Sequence, residues 1–121
     1  MIRGIKFVSV PVTNQDKAVK FYTEKLGFRV LTDQSYDDKQ RWIELGIPGG
    51  DAGVVLFTTD EDAGRIGGRQ PISFWCDDVN ATAQVLKSKG VVFAMEPKTE
   101  EWGSVSIFKD QDGNQFVLGS K

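Results

Sequence analysis

The sequence predicts an α+β fold in which one β-α-β-β-β module occurs twice in tandem. Alternating, β-branched segments typical of strands surround two segments with helical periodicity. The same order of elements recurs on both sides of a polar, glycine-rich segment, and Gly27 and Gly90 end the two helices at matching places. A repeat of this kind indicates a duplicated structural unit.

The first module is predicted at about residues 1–60, and its opening strand at residues 5–12. Pro11 cannot donate to a β-ladder, which places it at an edge or at a strand end. Thr13 or Asn14 is expected to cap the helix that follows, and Gly27 supplies a left-handed stop. Three further strands are predicted, at residues 28–36, 40–47 and 52–59.

The second module is predicted at about residues 70–121, after a linker at about residues 60–69. Asp77 or Asp78 is expected to cap its helix, which Gly90 ends. The helical period turns three apolar side chains inward, namely Val79, Ala83 and Leu86. Its strands are predicted at residues 70–76, 91–98, 103–110 and 114–120.

Composition limits the function. The chain has 121 residues and a net charge of −2, which argues against broad affinity for nucleic acid. No apolar run approaches the roughly 20 residues that cross a bilayer, and the N-terminus lacks a signal-peptide pattern. Cys76 is alone, so it has no disulfide partner within the chain. We therefore expect a cytoplasmic protein without a membrane partner.

Histidine is absent from the sequence. This excludes histidine-based catalytic triads, imidazole general bases and every metal site that needs imidazole. Any catalytic proton transfer would depend on Asp, Glu, Lys, Tyr, Cys or bound water.

Three segments together resemble the vicinal oxygen chelate superfamily, which includes glyoxalase I, extradiol dioxygenases and bleomycin-resistance proteins. They lie at residues 8–28, 71–90 and 102–118 and occur in the family's order. The third segment departs from the family at Gln111, where proline is usual. The resemblance implies a single domain over residues 1–121, whose two modules form an open, barrel-like cup with the helices on its outer face.

Catalytic members of that superfamily hold a divalent metal on four inward strand positions, usually with His and Glu. In this sequence those positions correspond to Phe7, Val55, Pro71 and Val117. None of these side chains has a donor atom for a metal. We therefore expect a member of the family without a metal or other cofactor.

Strand alternation predicts which side chains line the cup instead. Counting every second residue from the four positions above places small polar and aromatic side chains on the same face. The Trp-Gly pair of the family corresponds to Trp102 and Gly103, so the resemblance implies that Trp102 lies at the wall of the cup. An alternative remains open, in which Phe7, Val55, Phe57 and Val117 are ordinary core. The predicted ligand-binding set is Phe7, Ser9, Trp42, Val55, Phe57, Ser73, Trp75, Trp102, Gln115 and Val117.

Glu44 shares a face of its strand with Trp42, and the sequence does not determine which face. Glu44 is either a solvated surface residue or the one carboxylate able to meet a cationic ligand or act as a catalytic base. It is the only catalytic candidate that we name.

The leading hypothesis is a metal-free small-molecule-binding protein of the glyoxalase and bleomycin-resistance type, with an aromatic or cationic ligand. The resemblance also implies a homodimer, and it leaves open whether a cup forms within one subunit or between two. One alternative is a glyoxalase- or dioxygenase-like enzyme, acting as a lyase or an oxidoreductase. Another is a non-catalytic dimeric interaction module whose cup is filled by side chains.

Overall fold

The computed structural model describes residues 1–35, 37–58 and 60–121. It consists of two units, residues 1–66 (unit 1) and 67–121 (unit 2). Each unit contains one four-stranded sheet and one α-helix, which confirms the predicted α+β class and its two βαβββ modules. The division falls within the predicted linker, which also contains a short 3-10 helix at Ala63–Arg65. Within the described part of the chain, no helix has the length and apolar character needed to cross a bilayer.

Unit 1 has the strand order β1-β4-β3-β2. β1 runs parallel to β4, and the other neighbours are antiparallel. Pro11 ends β1 at the edge of the sheet, as its missing N–H requires. The predicted ends of the second and fourth strands, at Tyr36 and Thr59, lie outside the described residues. The elements are β1 (Phe7–Pro11), α1 (Gln15–Glu24), β2 (Arg29–Ser35), β3 (Arg41–Gly46) and β4 (Gly53–Phe57).

Helix α1 begins and ends where the sequence predicts. The Asn14 side chain accepts a hydrogen bond from the Lys17 N–H at 2.9 Å, so Asn14 is the N-cap. Gly27 has φ +77°, the left-handed conformation that stops a helix. Ala18 and Tyr22 are fully buried, and they anchor the helix in the core of unit 1.

The start of α1 is tied to the sheet by polar contacts. The Gln15 amide donates to the carbonyl oxygens of Arg41 (2.7 Å) and Leu56 (3.0 Å), and it accepts from the Arg41 N–H (3.0 Å). The Arg41 guanidinium also pairs with Asp16 and Asp33. The hydrogen bond that the Arg41 guanidinium donates to Asp16 raises the pKa of Arg41 above its usual value. These contacts hold the first turn of α1 against β3 and β4.

Unit 2 repeats this arrangement, with the strand order β5-β8-β7-β6 and a parallel β5–β8 pair. Asp78 is the N-cap of α2, since its side chain accepts from the Ala81 N–H at 3.0 Å, and Gly90 has φ +90°. The elements are β5 (Arg69–Cys76), α2 (Val79–Ser88), β6 (Phe93–Glu100), β7 (Gly103–Lys109) and β8 (Gln115–Ser120).

The core of unit 2 is a cluster of four phenylalanine rings, from Phe74, Phe93, Phe108 and Phe116. The contacting rings have centroids 5.5 to 6.2 Å apart. Phe108 and Phe116 are buried, as are the three predicted inward residues of α2. The helix and the sheet therefore bury one face of each other.

The turn between β7 and β8 is held by Asp110 and Asn114. Asp110 accepts from the Asn114 N–H (3.0 Å) and from the Asn114 side-chain amide (2.9 Å). The Asn114 side-chain oxygen accepts from the Gly67 N–H (2.8 Å) and from the Gln70 amide (3.1 Å). Asn114 thus joins this turn to the start of β5. Because these bonds fix the turn, it does not need the family's proline at Gln111.

Candidate functional site

Each sheet has one face that its own helix leaves uncovered, which we call its helix-free face. In unit 1 the strand register places Ser9 beside Val55 and Val55 beside Glu44. The opposite face carries Val10, Val54, Leu56, Ile43 and Leu45, which are all fully buried, as expected for the side that α1 covers. The helix-free face of unit 1 comprises Phe7, Ser9, Trp42, Glu44, Val55 and Phe57.

Two aromatic rings meet on this face. The centroids of Phe7 and Trp42 are 5.4 Å apart, and the rings are in an edge-to-face arrangement. The register puts the two residues at diagonally opposite corners around Val55, whose exposed fraction is 2%. The contact therefore passes over Val55. Both rings are half-buried, so part of each remains accessible.

Glu44 lies on the same face, which answers the question that the sequence left open for Trp42 and Glu44. A Cβ atom at position 53 would lie 2.6 Å from Glu44 Oε2, so the carboxylate occupies space that Gly53 leaves free. Glu44 is half-buried. Within residues 1–35, 37–58 and 60–121 it has neither a hydrogen-bond partner nor an ion-pair partner.

The helix-free face of unit 2 is more accessible. Its register places Ser73 beside Val117 and Trp75 beside Gly119. Trp75 is 58% exposed, and Lys121 Nζ lies 4.6 Å from the centroid of its ring. A Cβ atom at Gly119 would be in ordinary contact with the Ser104 carbonyl oxygen, at 3.7 Å, so a small side chain would fit beside Trp75 without a clash. The face comprises Pro71, Ser73, Trp75, Val105, Ile107, Gln115, Val117 and Gly119.

Trp102 lies in the two-residue turn between β6 and β7 and is 68% exposed. Gly103 follows it with φ +144°, and the Ser120 hydroxyl oxygen occupies the place of a Cβ at Gly103. That hydroxyl accepts from the Ser104 N–H at 2.9 Å. The glycine is thus required for the close approach of β8, and the turn presents the indole to solvent.

The four positions at which the sequence resemblance places the family's metal ligands, Phe7, Val55, Pro71 and Val117, occupy equivalent places in the two sheets. Val55 pairs with Ser9, and Val117 pairs with Ser73, while Phe7 and Pro71 each lie two residues before the serine. None of the four supplies a ligand atom. In the part of the chain that the structure describes, no three His, Cys, Asp or Glu side chains come together as a metal site. The residues present do not fit a divalent metal.

Two tandem βαβββ units, each with its first strand parallel to its last, define a class of paired-module α+β proteins. The chain belongs to the Glyoxalase/Bleomycin resistance protein/Dioxygenase superfamily, whose family profile matches residues 4–118.

Three similar proteins illustrate the range of that superfamily. YetH of Bacillus subtilis is 36% identical over 118 residues, which are 98% of each chain. A probable lactoylglutathione lyase of Vibrio cholerae is 28% identical over 116 residues, 88% of this chain and 83% of the lyase. The crystal structure of TnmS3, an antibiotic binding protein from Streptomyces sp. CB03234, matches with a TM-score of 0.85 and 34% identity, covering 98% of this chain and 96% of TnmS3.

Sequence reasoning missed two contributors to these faces, Gly53 and Lys121. Gly53 matters because it lacks a side chain, and a strand pattern gives no signal for that except the glycine itself. Lys121 follows the last strand, and its contact with Trp75 depends on the β5–β8 register.

Proposed function

We propose that this protein binds an aromatic small molecule without using a metal, and that Trp75 is its principal contact. The observation that supports this most directly is the exposed indole of Trp75 beside Gly119, a residue without a side chain. Tryptophan is enriched at binding interfaces, because its ring supplies a large apolar contact area. The similarity to an antibiotic binding protein supports the same class of function.

The chemistry of the helix-free face of unit 2 suits a flat ligand. Ser73 and Gly119 are small, so the strand positions next to Trp75 carry no bulky side chain. Lys121 lies over the indole, and its flexible side chain must move aside before a ring can stack on that side. Val117 and Ile107 extend the apolar surface next to it. Offset stacking on an indole adds roughly 0.5–1.5 kcal/mol beyond the area buried. Trp102 and Gln115 are proposed as further contacts.

The binding test is a thermal-shift screen with aromatic and cationic compounds. A ligand at 100 times its dissociation constant should stabilise the protein by about 2.7 kcal/mol. We expect Trp75→Ala to weaken binding of a hit at least about tenfold, because the stacking surface is lost. The unfolding midpoint without ligand should change little, since the indole is exposed.

Val85→Ala is the matched control for that screen, because Val85 is 53% exposed on α2, which covers the opposite face of the sheet that carries Trp75. It should leave the affinity unchanged. If Trp75→Ala bound the hit as tightly as the unmodified protein, Trp75 would not be the contact. If no compound in a broad library stabilised the protein, the interaction module with a filled cup would be the better hypothesis.

Metal independence is tested separately. We expect protein purified in the presence of Ni, Zn and Fe salts to carry no stoichiometric metal, because Phe7, Val55, Pro71 and Val117 offer no ligand atoms. Elemental analysis by inductively coupled plasma mass spectrometry measures this. One tightly held ion per chain would contradict the proposal and favour the alternative enzyme of the glyoxalase or dioxygenase type.

We also propose that the protein acts as a homodimer in the cytoplasm. Edge strands with exposed apolar residues, such as Val30 and Leu31 on β2, are stabilised when a second chain covers them. Cys76 is a free, half-buried thiol, which suits a reducing compartment. A glyoxalase-like reaction without a metal would need Glu44 or a tyrosine as its base.

A further inference from the structure

We propose that Glu44 gives the helix-free face of unit 1 a preference for ligands that carry a protonated nitrogen. This inference rests on the proposed function, because it assigns a chemical class to the molecule that is bound. The residues that carry it belong to unit 1, whereas Trp75 belongs to unit 2.

The geometry provides a defined position for the carboxylate. Gly53 leaves the space in which Glu44 Oε2 lies, and Val55 separates Glu44 from Ser9 along one row of the sheet. Thr32 pairs with Glu44 on the other side of that row. Glu44 therefore lies between neutral residues of the two neighbouring strands.

The surroundings favour a cation over a neutral molecule. The rings of Phe7 and Trp42 lie on the same face, with centroids 5.4 Å apart, and aromatic rings attract cations held near them. Glu44 is half-buried, so its charge has lost part of its hydration. A charge in such a place gains more from an opposite charge than an exposed one does.

Among the described residues, no basic side chain of the neighbouring strands forms an ion pair with this carboxylate. This includes Arg29 of β2, which the register places on the same face, opposite Gly46. The Arg41 guanidinium is held by ion pairs with Asp16 and Asp33. Arg41 precedes Trp42 in β3, so its side chain lies on the opposite face of the sheet from Glu44. Lys6 is exposed and precedes Phe7, so alternation directs it away from this face. In the described part of the chain, the carboxylate is left for a ligand.

The test compares two probes of the same shape, 1-naphthylmethylammonium and the neutral 1-naphthylmethanol, by isothermal titration calorimetry. Hydrogen bonds to charged groups are worth about 1.5–3 kcal/mol, so the unmodified protein should prefer the cation by at least about tenfold. Glu44→Gln should remove this preference and leave the affinity for the alcohol unchanged, because the amide keeps the shape and loses the charge.

Gly53→Ala is the second variant, because it keeps the negative charge of Glu44 and displaces the carboxylate. The new Cβ would meet the flexible end of Glu44, which must shift, so the preference for the cation should fall severalfold. Glu24→Gln is the matched control, since Glu24 is exposed at the end of α1 and the net charge changes equally. It should retain the full preference. The unfolding midpoint of each variant verifies that it is folded.

The outcomes test the role of Glu44 and the binding of an aromatic small molecule separately. A cation preference that persists in Glu44→Gln overturns the role of Glu44. Equal affinity of the unmodified protein for both probes also overturns it, while binding of a small aromatic molecule stands. Failure of both probes to bind the unmodified protein overturns this inference together with the proposed function.

Discussion

Asn114→Ala is expected to lower the free energy of unfolding by about 3 kcal/mol. The side chain is fully buried and bonds with Asp110, Gly67 and Gln70. Removing it deletes the hydrogen bonds to the buried Asp110 carboxylate and from the Gly67 N–H and the Gln70 amide, and the loss of a buried hydrogen-bonding group costs about 1–3 kcal/mol. Urea denaturation followed by circular dichroism measures the change.

The control for Asn114→Ala is Asn80→Ala. Asn80 is exposed in the first turn of α2, so its replacement should change the free energy of unfolding by no more than about 0.5 kcal/mol. If both variants unfolded at the same urea concentration as the unmodified protein, the turn would not depend on this network.

Phe116→Ala should have an effect of equal or greater size, about 3–5 kcal/mol. Phe116 is fully buried, and its ring contacts those of Phe74 (5.5 Å) and Phe108 (5.6 Å). The substitution removes apolar contacts and leaves a cavity that the surrounding rings fill only in part. The same denaturation experiment measures it.

Trp102→Ala provides the comparison for Phe116→Ala, because it also removes a large aromatic side chain. Trp102 is mostly exposed, so the ligand-free variant should keep its stability within about 0.5 kcal/mol. A loss as large as that of Phe116→Ala would mean that the β6–β7 turn packs against the rest of the protein.

Element type could be predicted from the sequence because the signals are local. Asn14 and Asp78 cap the helices through hydrogen bonds that reach only three residues along the chain. Gly27 and Gly90 adopt the positive φ that ends each helix. These features depend on neighbouring residues alone, and the sequence displays them directly.

Strand ends were less predictable, because a strand ends where its partner ends. β1 begins at Phe7 and not at Ile5, since its partner β4 begins at Gly53, and Ile5 is left 69% exposed. β6 continues to Glu100 because Glu100 pairs with Gly103 across the turn. The apolar pattern alone contains no information about the partner.

The candidate site, like the strands, could be predicted only in part. Alternation assigned Trp42 and Glu44 to a common face, but only the register of Glu44 with Val55 shows which face it is. The turn at Asp110 could be predicted from its Asp, Gly and Asn residues. The hydrogen bond from Gly67 to Asn114 could not, because it joins residues that are far apart in the chain.

The strand order β1-β4-β3-β2 has a consequence for synthesis on the ribosome. β1 emerges first, yet the strand it pairs with emerges last in its unit. The antiparallel meander of β2, β3 and β4 has short connections and is able to form first, whereas β1 must wait for a distant partner. The same delay recurs for β5 and β8. A nascent chain halted before Gly53 would therefore expose its opening strand, which makes that strand a site for recognition by chaperones.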